Sequence, residues 1–322
     1  MGRYLLRRLA LALVLVVVVS SAALVIIDVS PGDVTTERAL NMDAGARERL
    51  RTELGLDRPL AAQYAAWLVG VARFDFGQSL LYTRPVRDLL GERAANTALL
   101  AFCALVVSTL IGLPLGLYTG SRPRGFGPAL VRGAAVVGLS VPPLVGSLAL
   151  VLLAARTGWL PVGGMSSAGA GDLSWAARGW DLARHLTVPV MALALPLAAA
   201  LERLQSRALA EALREPCVAA SLARGVSPAR ALVRHAWPSA LRPVLGVYGV
   251  IIGSLFSGSF VVEVVTSWPG LGRLMFDALR ARDIYLVAGC AATGAVFLAA
   301  GTWIADALLA WVDPRVRTGG LS

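Results

Sequence analysis

The sequence contains no lysine and little charge of any kind. All 30 of its basic residues are arginines, and charged residues make up only 16% of the 322-residue chain. They cluster between long uncharged runs, and 57% of the residues are hydrophobic, above the roughly half that is usual in soluble domains. The scarcity of charge therefore indicates a polytopic membrane protein. A net charge of +10 can indicate a protein that binds nucleic acid, but the long apolar runs argue against that function here.

Cysteine and histidine are scarce as well. The three cysteines, Cys103, Cys217 and Cys290, form no C-x-x-C pair, which argues against a disulfide framework and a zinc site. The two histidines, His185 and His235, fall on opposite sides of the predicted membrane and cannot share a metal. The sequence also lacks a G-x-x-x-x-G-K-[ST] phosphate loop and paired catalytic carboxylates. We therefore expect no metal, no cofactor and no catalytic residue.

Six long apolar runs are present, each close to the ~20 residues that a helix needs to cross the bilayer. They are residues 9–27, 98–118, 133–155, 186–201, 244–262 and 284–305. The sequence thus predicts an all-α, polytopic membrane protein with six transmembrane helices. The first run has a cleavable signal peptide as its alternative, but it exceeds the usual signal core of about 7–15 residues.

Arginine placement predicts the orientation of these helices. If the N-terminus is cytoplasmic, the inside segments hold 15 of the 30 arginines but only five of the 20 acids. The whole net charge then lies on one side, so we expect both termini to be cytoplasmic. The fourth run is short, and we expect its helix to extend through Glu202 and Arg203 into water.

The segment 28–96, which follows the first run, is too long for a simple connection. Asp43 is a candidate cap for a helix that ends at Gly55, and Asp57 for a second helix with Pro59 in its first turn. Apolar residues mark one face of the second helix: Leu60, Tyr64, Trp67, Leu68 and Val71. We expect a small helical extracytoplasmic insertion after the first transmembrane helix; the alternative is a loosely ordered loop.

Two domains are predicted on this basis. Residues 1–95 hold the first transmembrane helix and the extracytoplasmic helical loop, and residues 96–322 hold a five-helix core. The core includes a cytoplasmic loop of about 40 residues, 205–243, which is too long for a plain connection.

The cytoplasmic loop contains the sequence signals of two successive helices. Residues 211–224 have a helical pattern, and Gly225 suits a left-handed stop at its end. Ser227 is a good N-cap, and Pro228 suits the first position of a second helix that reaches about residue 236. A rigid, basic pair of helices that is joined to two transmembrane helices gives a soluble motor protein a surface through which it can move them. The residues equally allow a segment that rests on anionic lipid.

The sequence of this loop resembles a motif of a known protein family. Residues 219–225 are A-A-S-L-A-R-G, and residues 235–238 are H-A-W-P. The pattern resembles the signature of ABC importer permeases, E-A-A-x-x-x-G, nine residues, then I-x-L-P. Gly225 and Pro238 match it, while Ala219 stands where the signature has an acid. Glu215 lies one turn earlier, which is where the peptide-type branch carries its acid.

Other segments resemble the same branch, the dipeptide, oligopeptide and nickel permeases. In chain order they are residues 3–8 (RYLLRR), 31–33 (PGD), 55–59 (GLDRP), 75–80 (DFGQSL), 140–143 (SVPP), 267–273 (SWPGLGR) and 313–315 (DPR). Each match is weak alone, but the ordered set covers nearly the whole sequence.

The resemblance implies a permease subunit in the bacterial inner membrane that forms a translocation path for di- or oligopeptides. It implies a second homologous permease subunit, cytoplasmic ABC ATPase subunits, an extracytoplasmic substrate-binding protein and membrane lipid as partners. Since the chain has no phosphate loop, ATP hydrolysis falls to the partner subunits. Coupling to the ATPase is expected at Glu215, Ala219, Ala220, Gly225, Arg234 and His235.

Two segments with helix-breaking residues are candidates for the path or its outer gate. Trp268, Pro269 and Gly270 lie between the fifth and sixth runs, and the alternative there is a simple turn anchored by an aromatic residue. Pro142 and Pro143 interrupt the third run, which indicates either a kink that lines the path or one that neighbouring helices fill.

Two other functions remain as alternatives. Six apolar spans alone also fit a secondary carrier or channel that works without an ATPase. A proton-coupled carrier needs acids near the membrane midplane, and Glu263 and Asp306 are expected to reach interfacial water instead. A membrane enzyme with an outer cap is disfavoured by the lack of acid–base and metal residues.

Overall fold

A computed structural model describes residues 60–312, together with seven isolated positions before residue 60. The described helices are α1 (Leu60–Ala72), α2 (Val86–Ser121), α3 (Phe126–Ser140), α4 (Pro143–Thr157), α5 (Trp175–Ala212), α6 (Pro216–Ala223), α7 (Pro228–Ala231), α8 (Trp237–Val265), α9 (Leu271–Arg280) and α10 (Ile284–Val312). A 3₁₀ turn lies at Ala170–Asp172 and a π-helical stretch at Leu232–Ala236. Within this described part the only β-type pairing is an isolated bridge between Gln78 and Pro85, so the predicted all-α class is confirmed there.

Four of the described helices are long and apolar enough to cross a membrane. They are Val86–Ser121, Trp175–Ala212, Pro228–Val265 and Ile284–Ile304. A fifth span is reached if α3 and α4 count as one, although they are bent by 104° at the break between them. The predicted third span, 133–155, is therefore not one helix, because Pro142 and Pro143 start a new helix there. The predicted first span lies outside the described residues.

The chain divides into two compact units. The first unit comprises the described residues up to Thr97 together with Pro269–Ala299, and the second comprises Ala98–Trp268 together with the residues from Ala300 onward. The first twelve residues of α2 thus belong to the first unit and the remainder to the second.

The first unit is built around the start of α2, α9 and the first half of α10. Its buried core residues are Val86, Leu89, Leu90, Leu271, Leu274, Ala278, Leu286, Val287 and Cys290. The predicted apolar face of α1 is confirmed for four of its five residues: Trp67 is buried against Ala288, and Tyr64, Leu68 and Val71 pack around that contact. The side chain of Leu60 lies outside the described part of the structure. The predicted helix 43–55 and the cap at Asp57 lie outside the described residues.

A fully buried carboxylate fixes a loop in this unit. Asp283 accepts hydrogen bonds from the Ser79 hydroxyl (2.7 Å), the Leu81 backbone N–H (3.0 Å) and the Leu286 backbone N–H (3.1 Å). Because burying a charge is costly unless it is hydrogen-bonded, these three donors are what make the position tolerable. Asp283 thereby caps the start of α10 and holds residues 79–81 in place.

The second unit is organised around α5, which contacts α3, α4 and α8. Its buried core includes Leu100, Leu193, Leu201, Leu255 and Trp268. Gly112, Gly116 and Gly120 of α2 recur every four residues. A Cβ on each would lie 2.7–2.8 Å from a backbone oxygen of α5, at Ala198, Glu202 and Ser206 respectively. Small residues at this spacing let two membrane helices approach closely.

Beside this glycine face lies a buried polar group of residues. Glu202 is 1% exposed and Gln205 is fully buried, and the Thr119 hydroxyl donates to Oε1 of Glu202. The helix does extend past residue 201 as predicted, and Arg203 is exposed. The expectation that Glu202 reaches water is wrong, because Glu202 is on the side of α5 that packs against α2. The expectation that Glu263 reaches interfacial water is wrong as well, because Glu263, near the end of α8, is fully buried. The side chain of Asp306 lies outside the described residues.

Candidate functional site

The candidate coupling site begins where α5 ends. We predicted one helix over residues 211–224, but the structure has α5 ending at Ala212, a turn, and α6 starting at Pro216. Pro216 lacks the N–H that would continue the α5 ladder, and its fixed φ suits the first position of a new helix. In the turn, the backbone N–H of Glu215 donates to the carbonyl of Ala212 (3.1 Å).

The predicted glycine stop at the end of α6 is confirmed. Gly225 has φ +83, and its N–H donates to the carbonyl of Leu222 (2.9 Å) while the N–H of Val226 donates to Ser221 (3.3 Å). These two bonds are the pair that closes a helix through a left-handed residue. A Cβ at Gly225 would meet nothing within 4 Å, so the backbone conformation alone requires glycine here.

The second predicted helix does not end near residue 236. Pro228 does open α7 as predicted, but the Ser227 side chain makes no capping hydrogen bond. From Pro228 the chain runs as one continuous helix to Val265, with the π-helical stretch Leu232–Ala236 inside it. The helix continues through Pro238 and Pro243, although a proline removes a hydrogen bond from the helical ladder. The second half of the pair is thus the beginning of the helix that contains the predicted fifth span.

We call residues 213–236 the arm, and one side of it is packed on the ends of α5 and α8. The buried residues of this contact are Ala208, Leu209, Ala212, Val218, Ala231, Ala236 and Ala240. Small side chains dominate the contact, so the helix backbones lie close together and the arm has little room to move independently.

The opposite side of the arm is open. Of the residues predicted to couple to an ATPase, Ala219, Ala220, Gly225 and Arg234 are exposed, and His235 and Glu215 are half-buried. Two apolar side chains stand out on this open side: Leu222 is 43% and Val233 is 55% exposed. An exposed surface of small and apolar residues on a rigidly packed helix pair is suited to holding another protein.

Exposed arginines are frequent in the arm and just beyond it. They are Arg214, Arg224, Arg230 and Arg234 within the arm and Arg242 six residues after it. Within residues 60–312, Glu211 is exposed in the same region and Glu215 already accepts hydrogen bonds from Ser239 and Cys217. The arm therefore carries a net positive potential, which favours a partner surface that contributes acidic side chains.

The predicted outer residues fall in two different units. Trp268 is fully buried in the core of the second unit, and its backbone N–H donates to the backbone carbonyl of Glu263 (2.9 Å). Pro269 and Gly270 belong to the first unit, where the Asn96 side chain donates to the Pro269 carbonyl (2.8 Å) and Gly270 precedes α9. Their role as a gate stays a prediction.

Pro142 and Pro143 stand at the break between α3 and α4. Pro142 precedes α4 in an extended conformation, Pro143 is its first residue, and both are exposed. The interruption is a complete helix break rather than the kink that the sequence suggested. Whether these prolines line a path stays a prediction.

Sequence reasoning missed three features of this region. The glycine face of α2 was visible as G-x-x-x-G-x-x-x-G at residues 112–120. The burial of Glu202 and a hydrogen bond between the side chains of Glu215 and Ser239 had no sequence signal, because they depend on which helices meet.

Comparisons with known proteins find matches along most of the chain. Residues 112–318 match the family described as "Binding-protein-dependent transport system inner membrane component", and residues 1–97 match the N-terminal region described for such components. The chain is 30% identical to the oligopeptide transport system permease protein AppB of Bacillus subtilis, over 98% of this chain and all of that protein. It is 31% identical to a putative peptide permease of Brucella ovis and 32% identical to a putative peptide transport system permease of Brucella abortus, each over 98% of this chain and 99% of the relative.

Proposed function

Because this chain belongs to the family of inner-membrane components of binding-protein-dependent transport systems, we propose that it is the permease subunit of an ABC importer for di- or oligopeptides. It is a multi-pass protein of the bacterial inner membrane. The peptide substrate is proposed from the relatives, which are named as peptide and oligopeptide permeases.

The proposal rests on one observation, which is how the arm is packed on one side and exposed on the other. The arm is packed on the ends of α5 and α8, and its outer side presents Ala219, Ala220 and Leu222 to the surroundings. A cytoplasmic ATPase that grips this outer side would move α5 and α8 with it, because the close packing transmits displacement. The residues proposed for this grip are Glu215, Ala219, Ala220, Gly225, Arg234 and His235.

The remaining partners follow from the transport reaction. A second, homologous permease subunit would complete the path, and an extracytoplasmic binding protein would deliver the peptide to its outer opening. ATP hydrolysis would take place on the ATPase subunits. We propose that the arm and both termini face the cytoplasm, that residues 1–95 and 96–322 form the extracytoplasmic-loop and core domains, and that Pro142, Pro143, Trp268, Pro269 and Gly270 belong to the path or its outer gate.

One observation favours the alternative, a secondary carrier. Glu202 is a buried acid inside a candidate spanning helix, and such acids often carry proton coupling. The two functions separate in one assay: vesicles that contain the complete complex should import peptide with ATP present and a protonophore added. Uptake that follows an imposed proton gradient and ignores ATP would instead identify a carrier.

The docking surface is tested by a matched pair of variants. Leu222→Asp places a charge on the outer side of the arm, while Leu279→Asp changes a leucine of equal exposure (42% against 43%) at the end of α9. We expect Leu222→Asp to lower ATPase co-purification and ATP-dependent uptake at least fivefold, and Leu279→Asp to leave ATPase co-purification unchanged, since a desolvated charge is costly, on the order of 2 kcal/mol. Equal retention of the ATPase by both variants would contradict docking on this side.

A further inference from the structure

Glu215 directly precedes α6, and its side chain has an unusual hydrogen-bond partner for a residue at that position. It stands in the extended conformation of an N-cap before α6 (φ −61, ψ 141), yet its side chain makes no capping hydrogen bond to that helix. The carboxylate instead accepts a hydrogen bond from the hydroxyl of Ser239, 2.7 Å from Oε1. Ser239 lies in the first turn of α8, 24 residues further along the chain.

The same residue joins three helices at one point. Its N–H donates to Ala212 at the end of α5, its carbonyl accepts from Val218 in α6 (3.0 Å), and its carboxylate reaches α8. The second carboxylate oxygen accepts from the Cys217 thiol at 3.5 Å. Both Glu215 and Ser239 are half-buried, so water competes only partly for this bond.

We propose that Glu215 is a positioning residue: its carboxylate ties the ATPase-facing helix α6 to the start of α8 through Ser239, so that a push on α6 reaches α8 directly. This inference rests on the proposed function, and it reassigns Glu215 from direct contact with the ATPase to the transmission of force within the arm. The exposed face of α6 receives the force, and the Glu215–Ser239 bond passes it across the arm.

Two possible roles of Glu215 can be distinguished by whether its negative charge is needed and whether the hydroxyl of Ser239 is needed. If Glu215 acted by pairing with a basic residue of the ATPase, its charge would matter and Ser239 would not. If it acts through Ser239, an uncharged acceptor suffices and the hydroxyl is required. Glutamine keeps an acceptor oxygen at the same length, and threonine keeps a hydroxyl at residue 239.

The experiment measures peptide imported per ATP hydrolysed in vesicles that contain the complete complex. We expect Glu215→Ala and Ser239→Ala each to lower this ratio about tenfold, the effect of losing one hydrogen bond to a charged group. Glu215→Gln and Ser239→Thr should stay within about twofold of the parent, and the double alanine variant should match the single ones. The control is Glu211→Ala, an exposed acid one turn before Glu215 whose loss should leave the ratio unchanged.

Two results would overturn the inference. One is a normal ratio in Ser239→Ala; the other is loss of ATPase co-purification in Glu215→Gln with Ser239→Ala unaffected, which would assign Glu215 to the ATPase contact. If alanine at residue 215 prevents assembly, the Ser239→Ala and Ser239→Thr pair gives the same decision. Peptide uptake by the parent complex without ATP would refute the proposed function instead, independently of these ratios.

Discussion

At the scale of single residues, backbone conformation restricts which residue can stand at some positions of this chain, and burial restricts it at others. Gly225 is exposed with open space around it, and only its positive φ restricts what can stand there. Trp268 is the opposite case, since it is fully buried among the core residues of its unit. There is room for a side chain at residue 225, but the backbone there must keep its positive φ. Residue 268, in contrast, requires a large apolar side chain.

Gly225 gives a prediction at this scale. Gly225→Ala should lower the free energy of unfolding by about 1 kcal/mol, because a Cβ disfavours the left-handed conformation while meeting no other atom. Gly225→Asn should cost less, since asparagine visits this conformation more readily. Thermal unfolding of the purified protein measures both.

A proline at the same position tests the coupling role. Gly225→Pro fixes φ near −65° and removes the N–H that bonds Leu222, so the end of α6 must change. We expect ATP-dependent uptake to be lost while Gly225→Asn retains most of it. Full uptake by the proline variant would show that the geometry of this turn is not needed for coupling.

At the scale of the helices, three glycines of α2 allow a close approach to α5. The three glycines at residues 112, 116 and 120 face α5 carbonyls, and each would place a Cβ within 2.8 Å of backbone or side-chain atoms. Moving the two helices apart to make room would open gaps around Leu201 and Leu209, which are fully buried beside them. The contact between α2 and α5 therefore depends on having no side chain at these positions.

The central glycine gives the prediction for this contact. A Cβ at Gly116 would lie 2.6 Å from the Cβ of Gln205 and 2.8 Å from the Glu202 carbonyl oxygen. Gly116→Ala should therefore cost about 3 kcal/mol in stability, at the upper end of overpacking effects. The control is Gly133→Ala in α3, which meets nothing within 4 Å and should be neutral or slightly stabilising in the same thermal unfolding assay. Equal stability of the two variants would contradict the close packing.

At the scale of the whole molecule, the orientation in the membrane is the property on which the mechanism depends. The arm can meet an ATPase only on the cytoplasmic side, where arginine placement predicts it to lie. Cys217 offers a native probe because it is exposed at the start of α6, whereas Cys290 is buried and Cys103 is half-buried.

Labelling of Cys217 tests this orientation directly. In a chain with Cys103→Ser and Cys290→Ser, a membrane-impermeant maleimide should label Cys217 in inverted vesicles and leave it unlabelled in intact cells. The control replaces Cys217 by serine and adds Trp175→Cys, an exposed residue of the segment predicted to lie outside, which should show the reverse pattern. Labelling of Cys217 from outside intact cells would place the arm on the wrong side and refute ATPase coupling through it.

The sequence by itself determined the properties that a residue carries locally. Long apolar runs predicted membrane helices, Gly225 predicted the end of α6, the apolar face of α1 was placed correctly, and the ordered motifs identified the family, which the comparisons confirm. Hydropathy, proline geometry and a left-handed glycine need no distant partner, so they can be read from neighbouring residues.

Only the tertiary structure decided the properties that depend on which helices meet. It showed the 104° break at Pro142–Pro143, the burial of Glu202 against α2, and the bond that ties Glu215 to Ser239. An acid near the end of an apolar run reaches water or is buried according to what packs beside it. That neighbour comes from a part of the chain tens of residues away, so no local pattern of residues contains it.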